Sequence, residues 1–257
     1  PSHVLIMAAG QGTRMRSRRP KVLHRLGGLP LVEHVLRAAQ SLEPKSTCVV
    51  IGHQAERVRT GLSGHKGLKF AVQAEQLGTG HALLQAMPLL RDQRGTLVVL
   101  SGDVPLIRSS TLQHLLETHH ETSAAVTVVT ARVARPHGYG RVIRKEGRLS
   151  RIVEERDASN TQRQLNEING GIYALDLEPL SDALGDILRD GVADEIYLPS
   201  LVTTYRSRGL PVESVEVTNP DEVCGINSQT ELAEVRRIVR QNKNEELMAA
   251  GVTIEDP

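Results

Sequence analysis

Tryptophan is absent from this 257-residue chain, phenylalanine occurs once and tyrosine four times. So few aromatics argue against base-stacking platforms for single-stranded nucleic acid, and they leave the core to Leu, Val, Ile and Ala. Cysteine is nearly missing too. Cys48 and Cys224 stand far apart without CxxC spacing, which points to neither a zinc site nor a disulfide framework. Both read as reduced structural thiols, since free cysteine behaves as a small hydrophobe. No apolar run approaches the ~20 residues that span a bilayer. The first residues lack the charged-then-apolar order of a secretory leader, and no repeat or low-complexity tract appears. A cytoplasmic protein is expected, with neither nucleic acid nor membrane among its partners. The formal net charge of +1 supports no global field, so an anion site must be local. The short basic stretch Ser17-Arg18-Arg19 reads as a solvated loop.

What is present suits a soluble globular protein: 39% hydrophobic and 24% charged residues, enough for one large α/β domain or two modest ones. The stretch from Val4 to Leu26 organises the rest. Val4-Leu5-Ile6-Met7-Ala8 is short, apolar and uncharged, as for a strand buried on both faces. It runs into Ala9-Gly10-Gln11-Gly12-Thr13, where glycines permit unusual backbone angles and small side chains leave successive N–H groups open to a phosphate. Arg14 and Lys21 follow, with Pro20 stiffening the approach to the lysine. A dinucleotide fingerprint fails because Met15 stands where the third glycine belongs. A Walker A loop fails because no Gly-Lys-[Ser/Thr] closes the turn. A basic surface turn is the plainer alternative.

The rest alternates strand and helix. Pro30 suits a first helical position, with Leu31, Val35, Leu36, Ala39 and Leu42 at helical spacing. Strands are expected at Thr47 to Ile51, Leu68 to Val72 and Thr96 to Leu100, with helices over 54–62 and up to Leu90. The pattern indicates βαβ units on a mainly parallel sheet. Ligands in such sheets gather beyond the carboxyl ends of the strands. Gln73-Ala74-Glu75-Gln76-Leu77-Gly78-Thr79-Gly80-His81-Ala82 should therefore line the same crevice as the first loop. Gln73 offers the donor and acceptor that a uracil edge requires, and Thr79 is alternatively a helix cap. Asp103, at the end of the most apolar strand, is placed to hold Mg²⁺ or to cap a helix. Ala124 to Val133 is a further strand, and residues 138–144 and 148–154 form a hairpin ahead of a strand at Ile168 to Leu175. This antiparallel portion carries Glu154 and Asn169, suited to sugar hydroxyls and an acylamino group, or simply polar. Leu177 to Leu188 and Glu195 to Tyr205 read as helices, and Val212 to Val217 as a strand. Asn227 stands just ahead of a long helix over 229–248, where it is an N-cap or pre-cap. The domain reading is 1–227 for the main body and 228–257 for the C-terminal helix and the start of a linker.

Taken in order, AAGQGTRM, PKVLHRLGG, QAEQLGTGHA, SGDVPL, HGYGRVIR, IVEERDA, EINGGIYAL and EVCGIN span nearly the whole chain. Together they resemble the sugar-1-phosphate nucleotidyltransferases, and in particular the branch of bacterial N-acetylglucosamine-1-phosphate uridyltransferases. The resemblance implies a Rossmann-like α/β fold of the nucleotidyltransferase (GT-A-like) type, with an antiparallel sugar-binding portion and a C-terminal helix. It implies Mg²⁺-dependent uridylyl transfer from UTP to N-acetylglucosamine 1-phosphate, giving UDP-N-acetylglucosamine and pyrophosphate for peptidoglycan and lipopolysaccharide precursors. By the same resemblance Ala8, Ala9 and Gly10, with Gln73 and Gly78, hold uridine, and Met7, Ser101 and Gly102 belong to the substrate pocket. Arg14 and Lys21 grip the triphosphate as the catalytic cations. Gly140, Glu154 and Asn169 hold the amino sugar, Thr79 lies near the ligand, and Asp103 with Asn227 binds the metal.

Family members often carry a C-terminal β-helix that acetylates glucosamine 1-phosphate. Residues 251–257 resemble the approach to it, so the acetylating half is expected to be missing and the chain to be a monomer or weak oligomer. Two departures stand out: Pro199-Ser200 replaces a common Thr-Asp in the segment from Asp194 to Ser200, and Gly170 replaces a bulkier residue. Transfer to another sugar phosphate or from another nucleotide is one rival reading. A non-catalytic nucleotide-sugar-binding module is the other, and the retained Arg14, Lys21, Asp103 and Asn227 argue against it.

Overall fold

The structure, a computed structural model, describes residues 1–189 and 195–257. Along the chain come β1 (Ser2–Ala8), β2 (Arg25–Leu26), β3 (Leu29–Pro30), α1 (Leu31–Gln40), β4 (Ser46–Ile51), α2 (Ala55–Gly61) and β5 (Lys69–Val72). Next are α3 (Thr79–Leu90), β6 (Thr96–Ser101), α4 (Ser109–Glu121), β7 (Val126–Arg132), β8 (Arg141–Lys145) and β9 (Arg148–Val153). They are followed by α5 (Asn160–Arg163), β10 (Glu167–Asp176), α6 (Leu177–Arg189), α7 (Ser200–Ser207), β11 (Val212–Glu216) and α8 (Gln229–Ala249).

Successive residues of a strand point to opposite faces, and here both faces are covered. Val4, Ile6 and Ala8 of β1 pack into one core with Val49 and Ile51 of β4 and Val98 and Leu100 of β6. Leu5, Val50, Leu97 and Val99 pack into the other. The first core is closed by Val32, Val35 and Leu36 of α1 with Leu112 and Leu115 of α4. The second is closed by Leu83 and Ala86 of α3, Leu180 and Leu184 of α6, and Leu201 and Tyr205 of α7. The uninterrupted apolar runs in the sequence are the direct trace of this three-layer arrangement. Each fully buried Leu, Val or Ile contributes roughly 1.5–3 kcal/mol, so many aliphatic side chains do the work that few aromatics cannot.

The main sheet runs β11-β7-β10-β6-β1-β4-β5, with the β8–β9 hairpin attached through β10. β1 pairs in parallel with β4 and β6, β4 with β5, and β7 with β11, while β10 is antiparallel to both neighbours. Because β1 has β4 on one side and β6 on the other, the connections diverge beyond its carboxyl end and leave a crevice there. The fold is thus the expected mostly parallel α/β sheet with an antiparallel portion and a C-terminal helix.

Two local expectations need correcting. Pro30 pairs with Arg25 in the β2–β3 ladder and precedes α1 in an extended conformation, so it is not the first helical residue. Residues 195–199 are not helical. The backbone of Ile196 bonds instead to Leu77 and Gly80, and the helix begins at Ser200 directly after Pro199. Asp194 lies outside the described residues. The Gly170 departure has a packing cause: a Cβ there would stand 2.8 Å from the Val129 carbonyl and 2.9 Å from Val223. Cys48 and Cys224 are both free, and burial pushes the Cys48 thiol up to about 11, which suits an inert core residue. Among the described residues no helix is long and apolar enough to cross a membrane.

His119 sits in the last turn of α4, buried, its Nδ1 3.0 Å from the Thr127 hydroxyl. Burial lowers its pKa to about 4, against an unfolded value near 6.5. Between those limits the unfolded chain binds the extra proton, so folding stability falls as pH drops through that window. Chemical unfolding of the parent and of His119→Gln between pH 7 and 4.5 should show the variant losing less stability on acidification. Its starting stability should be about 1 kcal/mol lower from the altered hydrogen bond. Parallel pH profiles for the two proteins would overturn this assignment.

Candidate active site

The carboxyl ends of β1, β5 and β6 deliver the loops that wall a cleft of about 320 Å³. Its lining includes Met7, Ala8, Ala9, Gly10, Lys21, Gln73, Gly78, Thr79, Ser101 and Asp103. These are residues singled out in the sequence. A larger hollow of about 860 Å³ between α3 and α6 opens at the other edge of the sheet. No glycine loop or paired amine and carboxylate converges there.

Lys21 is the centre of the cleft. Its ammonium bonds the Asp103 carboxylate and, at 3.0 Å, Oδ1 of Asn227. Gly12 makes room for it: a Cβ at Gly12 would stand 2.8 Å from that of Lys21, and its φ of +62° suits glycine. Asp103 is fixed through its own backbone, since its carbonyl accepts from Ile226 N–H at 2.9 Å. Asn227 is not the helix cap. Ser228 caps α8, with Glu231 completing a capping box, and this leaves the Asn227 side chain to Lys21. Gly102 does not line the cleft but ties β6 to β1 through its N–H to the Met7 carbonyl at 2.9 Å. Among the described residues the N–H groups of Gly10 and Gln11 have no hydrogen-bond partner, and a Cβ at Gly10 would meet nothing within 4 Å. The bend is therefore open to an anion. Arg14 is exposed on the short helical turn after it and does not line the cleft.

The opposite wall is stitched from two distant loops. Gln73 is buried and gives its amide hydrogens to the Gly78 carbonyl at 3.0 Å and to His81 Nδ1 at 3.1 Å. Gly78 has φ +97°, and a Cβ there would fall 2.3 Å from the Ile196 carbonyl oxygen. That carbonyl accepts from Gly80 N–H at 2.7 Å, and Ile196 N–H donates to Leu77 at 2.8 Å. Thr79 is not the cap of α3, whose cap is Gly78. The Thr79 hydroxyl instead accepts from Leu198 N–H at 3.0 Å.

Gly140, Glu154 and Asn169 meet beside the cleft. Asn169 N–H donates to the Gly140 carbonyl at 2.9 Å, and a Cβ on Gly140 would lie 3.4 Å from the Glu154 carboxylate. The pairing of β10 with β7 shifts register between Asn169 and Tyr173, and the Asn169 Oδ1 accepts from Gly171 N–H at 3.0 Å. Ser101 reaches the same stretch, donating to the Gly171 carbonyl at 3.3 Å. Burial, reinforced by the Asp157 carboxylate, raises the pKa of Glu154.

Gln76 and Ala82, from the loop expected to line the crevice, do so, and so do Val22, Glu195 and Tyr197, which sequence reasoning missed. The Tyr197 hydroxyl donates to Glu195, and burial followed by that carboxylate pushes the phenol up. Arg156, two residues beyond Glu154, lies 3.4 Å from Glu195 and stacks over the Tyr197 ring at 4.8 Å. The polar cluster Glu195-Ile196-Tyr197 was a usable signal only had the segment been read as a loop.

A glycine bend at the central strand's exit, a lysine bonded to an aspartate and an asparagine, and a neighbouring carboxylate–amide pair define an α/β fold of the nucleotidyltransferase type. Residues 4–168 match the family described as the MobA-like NTP transferase domain, and the chain belongs to that family. It is 44% identical over 98% of its length to "Bifunctional protein GlmU" of Pelobacter propionicus, covering 55% of that protein. It is likewise 44% identical over 99% of its length to the protein of the same name from Gloeothece citriformis, covering 56% of it. The chain thus spans about half the length of the curated relatives it matches. A solved putative glucose-1-phosphate thymidylyltransferase from Bacillus anthracis, in complex with a sucrose, superposes with a TM-score of 0.73 at 16% identity. That alignment covers 93% of this chain and 96% of the other, and it shows the shared fold.

Replacing Gly78 by Ala should force the Leu77–Gly80 and 195–198 segments apart, costing roughly 1–3 kcal/mol through left-handed strain and the clash. Chemical denaturation reads this directly. A Gly78→Ala protein within about 0.5 kcal/mol of the parent would mean the two loops are not locked as described.

Proposed function

We propose that this chain transfers a uridylyl group from UTP to N-acetylglucosamine 1-phosphate, releasing pyrophosphate and forming UDP-N-acetylglucosamine for cell-wall precursors. The observation that carries the reading is the meeting of Lys21, Asp103 and Asn227 under an open glycine bend, in a chain similar along its length to proteins called GlmU. A cytoplasmic enzyme acting without nucleic acid or membrane, as a monomer or weak oligomer, completes the proposal.

The sugar phosphate is a dianion and already a nucleophile, so in-line attack on the α-phosphorus needs no general base. Alignment and charge neutralisation are what the protein supplies. In this reading Met7 to Gly10, Gln73 and Gly78 receive the nucleoside. Arg14 and Lys21 hold the triphosphate, with Ser101 shaping the floor, Gly102 bracing β6 against β1 beside it and Thr79 close to the ligand. Gly140, Glu154 and Asn169 receive the amino sugar, Glu154 as a carboxylate accepting from hydroxyls.

Mg²⁺ fits Asp103 and Asn227. A carboxylate and an amide oxygen already converge on one cation, the Lys21 ammonium, and magnesium takes few protein oxygens while sharing its shell with phosphates and water. When bound, it would neutralise phosphate charge at the reacting centre. Lys21 would then be free to turn from Asp103 to the phosphates.

Pyrophosphate release, measured with Mg²⁺, UTP and N-acetylglucosamine 1-phosphate beside a panel of other nucleotides and sugar phosphates, tests the substrate assignment. The named pair should be strongly preferred, and preference for another pair would replace it. Asp103→Ala should cost about 10²–10³ in turnover with folding intact by circular dichroism. Wild-type turnover by Asp103→Ala would remove the metal assignment.

A further inference from the structure

Residues 13–20, read from sequence as ending in a solvated basic stretch, form an excursion that leaves and rejoins the cleft wall at one point. Gly12 lies against Lys21 at its two ends. The excursion holds Arg14, Arg16, Arg18 and Arg19 and no acidic residue, in a chain with 31 basic and 30 acidic residues overall. All four arginines are exposed. Among the described residues none of them pairs with a carboxylate: Asp103 is held by Lys21, and Glu56 by Arg59 at 3.5 Å.

This loop is anchored. Met15 is buried with Leu26, Leu31, Ile226 and Leu232, and its carbonyl accepts from Gln229 at 3.3 Å. Pro20 is buried, and the Ser17 hydroxyl accepts from Arg19 N–H at 3.1 Å. The Arg57 guanidinium donates to the Arg18 carbonyl and, at 2.6 Å, to Gln54, which brings a fifth cation to an already positive rim. Like charges so placed repel one another, and no carboxylate offsets them. The loop that carries them ends at Lys21, which lines the cleft, so their field adds to that of the lysine from outside it.

We infer that Arg16, Arg18 and Arg19 form an outer electrostatic funnel that draws the nucleotide's polyphosphate toward the glycine bend. The inference rests on the nucleotidyl-transfer reading for the identity of the polyanion. A metal-free triphosphate carries about twice the charge of a sugar phosphate, so Coulombic attraction favours it wherever the nucleotide arrives ahead of the metal held at Asp103 and Asn227. The funnel therefore acts chiefly on the nucleotide, and its effect fades as salt shortens the screening length.

The test is the triple variant Arg16→Ser/Arg18→Ser/Arg19→Ser, with its fold checked by thermal melting and rates measured from low to about 0.3 M salt. The expected result is kcat within about twofold of the parent and kcat/KM for UTP lowered roughly fivefold at low salt, the gap closing as salt rises. With free Mg²⁺ kept limiting, so that the nucleotide stays largely uncomplexed, the sugar phosphate's kcat/KM should change less than about twofold. An unchanged salt dependence for UTP, or equal losses for both substrates, overturns the funnel. Calorimetric titration of both proteins with inorganic tripolyphosphate separates this from the activity proposal. If the parent transfers no nucleotide, weaker tripolyphosphate binding by the variant still supports the funnel. Equal binding by the two rejects it.

Discussion

A single ammonium group, that of Lys21, joins three stretches of chain that are otherwise remote. Asp103 is 82 residues away in sequence and Asn227 is 206. The lysine enters on the loop after β1, the aspartate stands at the end of β6, and the asparagine precedes α8. The side chains of Lys21 and Asp103 are only 13% and 16% exposed. Partly desolvated charges of this kind are costly to leave alone, because removing one partner strands the other. The energetics therefore favour a site that stays assembled until another charge takes over. An oxygen pair spaced for one cation is spaced for another, and a lysine released by that exchange remains in the cleft where phosphate charge would gather.

The sheet makes the meeting possible. Parallel strands send all their carboxyl ends to one edge, so loops at residues 9–12, 52–54, 73–78 and 102–103 share that edge without any side-chain instruction. β10 runs against this direction and brings a different face. Its register shift between Asn169 and Tyr173 turns an otherwise buried central strand into a half-open one beside Gly140 and Glu154.

Legibility in the sequence followed how local the cause was. The strands read clearly because burial on both faces demands uninterrupted aliphatic runs, and β1, β4 and β6 supply them. The glycine bend and Asp103 read clearly because they sit at strand ends, where short-range pattern and position coincide. Asn227 was locally indistinguishable from a cap. The competing cap, Ser228 with Glu231, is visible only with the helix start fixed to one residue. Glu195 and Tyr197 were hidden for a stronger reason. Their segment looks helical, and what prevents the helix is bonding of Ile196 and Leu198 to residues 77–80, far away in sequence. Tertiary hydrogen bonds overrode propensity there.

The two sets of contacts across the cleft differ in strength, and the difference decides which of them can move. Arg156 is half exposed where it meets Glu195 and Tyr197. An exposed ion pair contributes about 0–1 kcal/mol and an exposed cation–π contact about 0.5–1 kcal/mol. Binding even a weak ligand exceeds that sum, because a millimolar dissociation constant already corresponds to about 4 kcal/mol. The backbone bonds of Ile196 to Leu77 and Gly80, together with the Thr79–Leu198 bond, form a joint whose rupture would leave several polar groups unpaired at once. Residues 195–198 are therefore held to the 77–80 loop as one wall, while on the hairpin side the Arg156 side chain is the weakly held part. A ligand reaching toward Glu154 can displace the Arg156 side chain at little cost, because the hairpin behind it stays seated through Val142 and Leu149 in the core and through the Arg206 bond to the Leu149 carbonyl.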